Sequence, residues 1–253
     1  MGMLDKIQIS RRMCPVIFLI DTSGSMNLNS GSGENPIGAV NAAIEGVLPE
    51  LISMNESNAD NEIKVAIMSF DFEAKWVTGE TDLISPEDLK SKWIDLNADG
   101  LTSMGAAFRE LNQKLSVSHG FMKRATGSVA PVLFLLSDGE PTDDFQSGLQ
   151  ELKKNNWYKV AVRVAIGYGD SNDDVLREFT GNSETVLHTN DPKDLKKMIH
   201  FVAITSSRVA STGGNAISPE DNSVDPDDNT QKTAAALQSQ GGILNAKPDE
   251  SWD

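Results

Sequence analysis

The stretch Val16–Met26, VIFLIDTSGSM, constrains the fold more than any other part of this chain. An apolar run ends at Asp21, and two hydroxyl side chains follow at Ser23 and Ser25. A continuous apolar run without alternation is typical of a strand buried on both faces of a sheet. Gly24 is expected to let the backbone turn tightly between the serines. The strand therefore delivers one carboxylate and two hydroxyls to its carboxyl end, and Mg²⁺ and Mn²⁺ prefer such oxygen ligands.

The remaining hydrophobic pattern predicts strands that alternate with helices. The predicted strands after the first are Ile63–Phe70, an edge or antiparallel Glu73–Val77, Pro131–Leu136, Lys159–Ile166 and Thr185–His188. Apolar residues at helical spacing, together with capping signals, predict helices over 36–54, 86–93, 104–115, 142–154, 171–179 and 191–208. This order predicts the α/β class, with a doubly wound, mostly parallel sheet and helices on both faces.

Composition divides the chain into three parts. Residues 1–11 form a polar leader, residues 12–209 a single domain, and residues 210–253 an acidic tail. The tail has eight acidic residues and two lysines, so it carries −6 of the net charge of −15. Because it is also poor in large apolar side chains, we expect it to be disordered or to become ordered only with a partner.

Charge and cysteine content limit the cellular setting. A net charge of −15 and a pI near 4.6 argue against binding to nucleic acid or to anionic membranes. No uninterrupted apolar run reaches the roughly 18 to 20 residues of a membrane span. The single cysteine, Cys14, can form no internal disulfide and reads as a small core residue. With no secretory cleavage pattern near the N-terminus, these features predict a cytoplasmic protein.

Two further segments can complete a metal site with Asp21, Ser23 and Ser25. Thr102 lies in the loop before a predicted helix, and Asp138 directly follows the strand PVLFLL. In an open parallel sheet, such groups collect beyond the carboxyl ends of the strands where the strand order reverses. Two carboxylates and three hydroxyls suit Mg²⁺, with Mn²⁺ or Ca²⁺ as alternatives. If both aspartates act through water, the metal keeps an electron-poor position for a partner's Asp or Glu.

Other polar residues near these loops have simpler explanations. Asp71 and Asp99 are interpreted as turn and capping residues, and Asp143 and Asp144 as favourable charges at the start of the following helix. Glu140 is interpreted as an exposed loop acid. The histidines, His119, His188 and His200, share no ligand spacing, and no phosphate-binding loop motif occurs in the sequence.

The pattern Asp-x-Ser-x-Ser, a later threonine and an aspartate after a central strand resembles the von Willebrand factor A domain and its metal-ion-dependent adhesion site (MIDAS). The matching residues are Asp21, Ser23, Ser25, Thr102 and Asp138, and the resemblance covers roughly residues 12–206. It implies a doubly wound sheet with one metal at its top, no catalysis, and binding through an acidic residue of a partner.

A narrower resemblance is carried by RRMCPVIFLIDTSGSM, the Pro36-Ile37 helix start and FLLSDGEPTDD. These stretches are similar to the TerY-type proteins of bacterial tellurium-resistance and stress-response clusters, which implies an adaptor beside kinase and phosphatase partners. Two features depart from the pattern. Leu101 stands where a second glycine is commoner, which is expected to narrow the threonine loop, and the tail lacks the cysteines of many relatives.

Three functions follow from these observations. The first is a non-catalytic, metal-dependent protein-binding adaptor inside the cell. The second is an auxiliary subunit of a large ATPase, as in chelatase-type complexes, which the sequence does not separate from the first. The third is a metal-dependent phosphoesterase, which would need a general base or a second metal. Because no histidine lies in the three site segments, the sequence favours a protein that is not an enzyme.

Overall fold

The computed structural model describes residues 11–28, 35–122, 127–212 and 228–244. Its six strands form a single sheet in the order β3-β2-β1-β4-β5-β6. All neighbouring strands are parallel except the antiparallel pair β2 and β3. The strands are β1 Arg12–Asp21, β2 Asn61–Phe70, β3 Ala74–Trp76, β4 Val132–Ser137, β5 Val162–Tyr168 and β6 Val186–Thr189.

The helices cover both faces of this sheet. They are α1 Pro36–Ser57, α2 Pro86–Lys92, α3 Met104–Lys114, α4 Phe145–Leu152, α5 Asn156–Val160, α6 Asp173–Thr180, α7 Pro192–Thr212 and α8 Asp228–Leu244. Short 3₁₀ turns occupy Gly24–Asn27 and Ser183–Thr185. The predicted α/β class, with its mostly parallel sheet, is confirmed.

Strand β1 lies at the centre of the sheet and belongs to two hydrophobic cores at once. Val16, Phe18 and Ile20 face the core formed with α1 and α7. Ile17 and Leu19 face the core formed with α3, α4, α5 and α6. Both faces of β1 are therefore apolar, which explains why its sequence shows no alternation. The strand order reverses between β1 and β4, so polar groups that follow these two strands meet at one edge.

The segment after β4 differs from the predicted single helix and following strand. Helix α4 ends at Leu152, and Asn155 caps a separate helix, α5. The Asn155 side chain accepts from the Trp157 amide and donates to the Leu115 carbonyl. Trp157 and Tyr158 are buried against the sheet from α5. Residues 159 and 160 are therefore helical, and β5 begins at Val162, later than predicted.

The structure corrects the prediction of disorder for residues 228–244 of the acidic tail. There α8 packs against α7 and β5. The Thr230 hydroxyl donates to the Ala161 carbonyl, and Ala234 and Leu237 are buried. The prediction rested on the average composition of the whole tail, which did not reveal the small apolar stretch around Ala234. Residues 1–10, 213–227 and 245–253 lie outside the described residues, so the predicted disorder of these parts of the tail and the predicted domain limits stay predictions.

Helix α1 is the one helix of the described residues that is long and apolar enough to cross a membrane by length and composition. Half of its most apolar window is buried inside the protein. Its apolar side contributes Ile37, Val40, Ile44 and Leu48 to the core under the sheet. Packing in that core accounts for the apolar composition of α1.

Candidate metal centre

Asp21 is the last residue of β1, and its side chain is buried at the carboxyl edge of the sheet. The Ser23 amide donates to Oδ1 at 2.9 Å, and the Ser137 hydroxyl donates to Oδ2 at 2.5 Å. Each carboxylate oxygen has two lone pairs, so both can also accept from a metal-bound water. The two donors fix the orientation of this carboxylate before any cation binds.

Ser23 and Ser25 present their hydroxyls from the 3₁₀ turn that follows β1. The two Oγ atoms lie 3.1 Å apart, and Ser25 Oγ donates to Asp138 Oδ1 at 2.8 Å. The expected role of Gly24 is not supported, because its φ is not positive and a Cβ would lie at an ordinary 3.5 Å from Gly100 O. The turn is formed instead by ordinary 3₁₀ hydrogen bonds such as Met26 N to Ser23 O.

Thr102 reaches the same place from the loop before α3. Its side chain is buried, and its backbone exchanges two hydrogen bonds with Thr142: Thr142 N donates to Thr102 O at 2.9 Å, and Thr102 N donates to Thr142 Oγ1 at 3.2 Å. A Cβ built on Gly139 would lie 3.5 Å from Thr102 Oγ1 and 3.9 Å from Ser25 Oγ. Both hydroxyls therefore face the turn that follows β4.

The loop before Thr102 is held against the first segment by its backbone. Asp99 N donates to Thr22 O at 2.9 Å, and Gly24 N donates to Gly100 O at 3.2 Å. Gly100 has a φ of 93°, a conformation in which other residues are strained, and a Cβ on it would lie 2.6 Å from the Phe72 ring, which would have to move. Leu101 is 51% exposed, so its side chain projects into solvent and does not narrow the loop as expected.

All five residues predicted as ligands therefore meet at the carboxyl ends of β1 and β4. Burial raises the pKa of Asp21 to about 6, although hydrogen bonds from Ser137 and Ser23 act in the opposite direction and the charge of Asp138 adds to the rise. Burial also raises the pKa of Asp138, against a hydrogen bond from Ser25. Both carboxyl groups thus lose solvation without gaining a compensating positive charge.

The donor set fits a hard divalent cation. Two buried carboxylates and three hydroxyls converge, and among the described residues no lysine, arginine or histidine forms an ion pair with Asp21 or Asp138. Oxygen-only ligation of this kind suits Mg²⁺, Mn²⁺ or Ca²⁺. A cation there would supply the positive charge that the buried carboxylates lack.

The neighbouring acidic side chains accept hydrogen bonds from backbone amides in turns and at helix starts. Asp71 accepts from Glu73 N and Asp99 accepts from Gly100 N, as predicted for turn residues. Asp144 caps α4 through Ser147 N. Asp143 differs from its prediction, since its carboxylate accepts from two amides at the start of α3 and not from the helix that follows it.

Outside the three segments, the remaining candidates form local pairs. Glu140 is exposed at the rim, where its carboxylate accepts from Asn172. His119 contacts Ser118, His188 contacts Asp173, and His200 contacts Glu50. No cluster of three His, Cys, Asp or Glu side chains suited to a metal occurs in the part of the chain that the structure describes.

The family follows from a sequence comparison that agrees with this geometry. The family model of the von Willebrand factor type A domain matches residues 16–200. The chain belongs to the von Willebrand factor type A (vWA) family. The vWA match extends from β1 into α7 and includes all three segments of the site. Domains of this family are commonly modules for protein interaction or adhesion, and their MIDAS binds a divalent metal.

Solved vWA structures share the fold at low sequence identity. Proximal thread matrix protein 1 from the mussel byssus has a TM-score of 0.57 and 16% identity, covering 76% of this chain and 48% of that one. A vWA protein from Catenulispora acidiphila has a TM-score of 0.55 and 18% identity, covering 78% and 43%. The PilB minor pilin from Streptococcus sanguinis has a TM-score of 0.56 and 15% identity, covering 83% and 65%.

These likenesses show the fold alone, and this chain spans about half the length of the first two neighbours. Another structure of the mussel protein has a zinc-occupied MIDAS motif. No protein of curated function matches this sequence.

Sequence reasoning missed three residues that organise the site, namely Ser137, Thr142 and Asp143. All three lie in the segment SDGEPTDD, whose density of hydroxyls and acids was a visible signal. Their roles depend on partners 37 to 116 residues away, such as Ser137 with Asp21 and Asp143 with Ala106. Local capping rules assign such residues to the nearest helix, and here that assignment fails.

Proposed function

We propose that this vWA domain is a non-catalytic protein-binding module that captures an acidic residue of a partner through a divalent cation. Ser23, Ser25 and Thr102 would contact the cation through their hydroxyls. Asp21 and Asp138 would act through metal-bound water. One coordination position would remain for a carboxylate of the partner.

The observation that carries this proposal is the pair of buried carboxylates without a positive partner. Asp21 already accepts two hydrogen bonds from the protein, which favours an indirect role through water. Neutral hydroxyls as direct ligands would leave most of the charge of the cation uncompensated. A metal in that condition attracts a further anionic ligand strongly.

The same argument explains how an acidic protein could bind an acidic group. The net charge of −15 repels carboxylates at a distance. A cation held at the carboxyl edge of the sheet would reverse this effect locally. Mg²⁺ is the proposed resident ion, because it prefers oxygen ligands and retains water. Zn²⁺, which prefers nitrogen and sulfur ligands, belongs in the test because a neighbour of the same fold holds it.

The cellular role proposed here is that of a cytoplasmic adaptor in a tellurium-resistance or stress-response system, beside kinase and phosphatase partners. It is supported by the resemblance of Arg11–Met26 and of the SDGEPTDD segment to the TerY-type proteins. A chelatase-like ATPase partner would use the same site. The proteins that the chain captures with Mg²⁺ would distinguish the two.

The first experiment measures metal binding by calorimetry and then partner capture from the native host. Mg²⁺, Mn²⁺ and Zn²⁺ are titrated into the metal-free chain, and captured proteins are compared with and without chelator. Asp21→Ala and Thr102→Ala are expected to abolish both metal binding and capture. Glu140→Gln removes an exposed acid at the rim and is expected to change neither.

The proposal fails if capture by the wild-type chain survives chelation and both substitutions. A partner that is lost equally with Glu140→Gln would indicate general electrostatic attraction instead of metal-mediated binding. Changing the captured partner's metal-binding Asp or Glu to Asn or Gln is expected to remove capture as completely as Thr102→Ala does.

We also propose that the chain has no enzymatic activity, as is common in the vWA family. A hydrolase would require a group placed to activate water. Incubation of the purified chain with Mn²⁺ and phosphoester substrates tests this point. Turnover above that of a Ser23→Ala control would overturn it.

A further inference from the structure

The first turn of α3, which follows Thr102, is capped from a distant part of the chain. Asp143 Oδ1 accepts from Gly105 N and Oδ2 accepts from Ala106 N, each at 2.8 Å. The amides of a first helical turn have no partners within the helix, and a carboxylate there also compensates the helix dipole. Asp143 therefore binds the helix with both oxygens, across 37 and 38 residues of sequence.

A local residue could have served this purpose and does not. Ser103 occupies the position before α3 where a serine usually caps a helix, yet its side chain makes no capping hydrogen bond. Its hydroxyl donates to the Phe72 carbonyl at 3.1 Å, and its amide donates to the Asp71 carbonyl. Ser103 thus ties the Thr102 loop to the turn after β2, and Asp143 has taken over the cap.

The same place is packed backbone to backbone. A Cβ on Gly105 would lie 2.5 Å from Asp144 O, and a Cβ on Gly148 would lie 2.6 Å from Gly105 O. Asp144 caps α4 from the next position in the chain. The starts of α3 and α4 are therefore joined to each other through Asp143 and Asp144, with no room for side chains between them.

Thr102 and Asp138 lie at the two ends of this joined unit. Thr102 precedes α3 by two residues, and Asp138 precedes Asp143 by five. Two hydrogen bonds between Thr102 and Thr142, one between backbones and one from the Thr102 amide to the Thr142 hydroxyl, close the remaining gap. A contact that holds the start of α3 against the loop after β4 therefore also holds the Thr102 hydroxyl in place beside the Asp138 carboxylate.

We propose that Asp143 is a positioning residue of the metal centre, which holds Thr102 at its place beside Asp138 before any cation binds. This inference rests on the proposed metal-binding function. Groups that orient ligands without touching the metal typically change metal affinity by about 10- to 100-fold when they are removed. Asp143 makes no ligand contact of its own.

The test compares Asp143→Ala with Asp144→Ala, which removes the equivalent cap from α4 only. Mn²⁺ affinity is measured by calorimetry, thermal stability is measured in chelator, and amide exchange is followed at Gly105 and Ala106. Both variants lose one helix cap and are expected to lose similar stability. Only Asp143→Ala is expected to weaken Mn²⁺ binding, by about tenfold, and to speed exchange of the two amides without metal.

Two further variants keep the test decisive if Asp143→Ala does not fold. Asp143→Asn retains one acceptor oxygen and is expected to weaken Mn²⁺ binding by a smaller factor. Arg109→Gln removes the ion pair in which Arg109 Nη2 lies 3.7 Å from Asp143 Oδ2, together with a hydrogen bond of 3.4 Å from Arg109 to the Asp144 carbonyl, and keeps both Asp143 caps. It is expected to leave the affinity unchanged.

Equal loss of affinity in Asp143→Ala and Asp144→Ala would overturn the positioning role and leave a purely structural cap. Unchanged Mn²⁺ affinity in Asp143→Ala and Asp143→Asn would also overturn the positioning role, and it would leave the proposed function intact. Failure of the wild-type chain to bind Mg²⁺, Mn²⁺ or Zn²⁺ would overturn both proposals.

Discussion

Two carboxylates at the same edge of the sheet have opposite surroundings. Asp173, at the start of α6, lies 3.0 Å from His188 Nδ1 and 3.9 Å from Arg177 Nη2, and it also accepts from the Ser171 hydroxyl at 3.2 Å. Its side chain is 29% exposed. Asp21 has the same kind of hydroxyl donor in Ser137, but it is fully buried and has no cationic neighbour among the described residues.

The difference shows which carboxylate has its charge compensated within the protein and which needs a positive charge from outside. Asp173 has an arginine partner and access to water, so its charge is compensated within the fold. Within the part of the chain that the structure describes, only hydrogen bonds compensate the charges of Asp21 and Asp138, and burial raises the pKa of both. A buried charge without a partner is costly, and such groups usually bind a cation or become neutral. The vWA site therefore has the ligands of a cation site, and the positive charge that it needs has to come from a bound ion.

The substitution Asp21→Asn is the strongest test of this difference between the two acids. We expect it to weaken Mn²⁺ binding by about 100-fold, the upper end for loss of a group that orients metal ligands and water. Without metal the same change should stabilise the fold at neutral pH, because it removes a buried charge. A pKa raised from 3.8 to about 6 corresponds to at most about 3 kcal/mol. Calorimetry and urea unfolding in chelator measure the two effects.

Asp173→Asn is the matched control for that experiment. It should leave Mn²⁺ affinity unchanged and should not stabilise the metal-free chain, because it removes a compensated charge. If Asp21→Asn instead destabilised the metal-free chain and kept wild-type affinity, the contrast between the two acids would be wrong.

The pH dependence of stability provides a second test. The pKa of Asp21 is raised in the folded state, so the folded chain holds this proton more tightly than the unfolded chain does. The contribution of this carboxyl to metal-free stability is therefore full below about pH 4 and is lost as the pH rises to about 6. A bound cation favours the charged form and should reverse this loss.

We expect metal to raise the melting temperature more at about pH 7.5 than at about pH 5, where protons compete for the site. The difference in stability between the wild type and Asp21→Asn, followed across this range in chelator, separates Asp21 from the other acids. A difference that stays constant from pH 4 to about 7 would contradict the raised pKa.

Ser137→Ala tests the hydroxyl donors on the two sides of the comparison. It removes the hydrogen bond to Asp21 Oδ2, and we expect about tenfold weaker Mn²⁺ binding because that carboxylate loses its orientation. Ser171→Ala removes the corresponding bond to Asp173 and should leave the Mn²⁺ affinity unchanged. Similar affinity changes in both variants, measured by calorimetry, would show that Ser137 acts only through general stability.

The sequence was sufficient to predict the sheet and to predict that the five oxygen donors come together, because both follow from local patterns. Continuous apolar runs such as Phe18–Ile20 identify strands buried on both faces, and oxygen donors directly after such strands must collect at one edge. Asp21 and Asp138 could be paired on this ground alone. The raised pKa of Asp21 could not be predicted from the sequence, since it depends on how deeply the neighbouring loops bury the end of the strand.

The failed predictions share a physical cause. Asn155 caps α5 while its side chain also donates to the distant Leu115 carbonyl, and Asp143 caps a helix that begins 39 residues before it. Helix α8 forms because Thr230 donates to the Ala161 carbonyl, just before β5, and Leu237 is buried in the core. In each case a contact distant in sequence overrides the local preference, so sequence periodicity and average composition gave the wrong boundary or the wrong state.

The smallest expected effect concerns Leu101, which precedes Thr102 directly. If the buried oxygens determine cation affinity, an exposed neighbour should contribute little, whatever its size. Leu101 is 51% exposed, and the positive φ that shapes the loop belongs to Gly100. Leu101→Gly, which restores the commoner vWA pattern, should therefore change Mn²⁺ affinity by less than about twofold, the usual range for surface substitutions. Leu101→Ala separates loss of the side chain from the added backbone freedom of glycine. An affinity gain of about tenfold in both variants would show that Leu101 does narrow the loop and that residues outside the buried oxygen cluster control the cation.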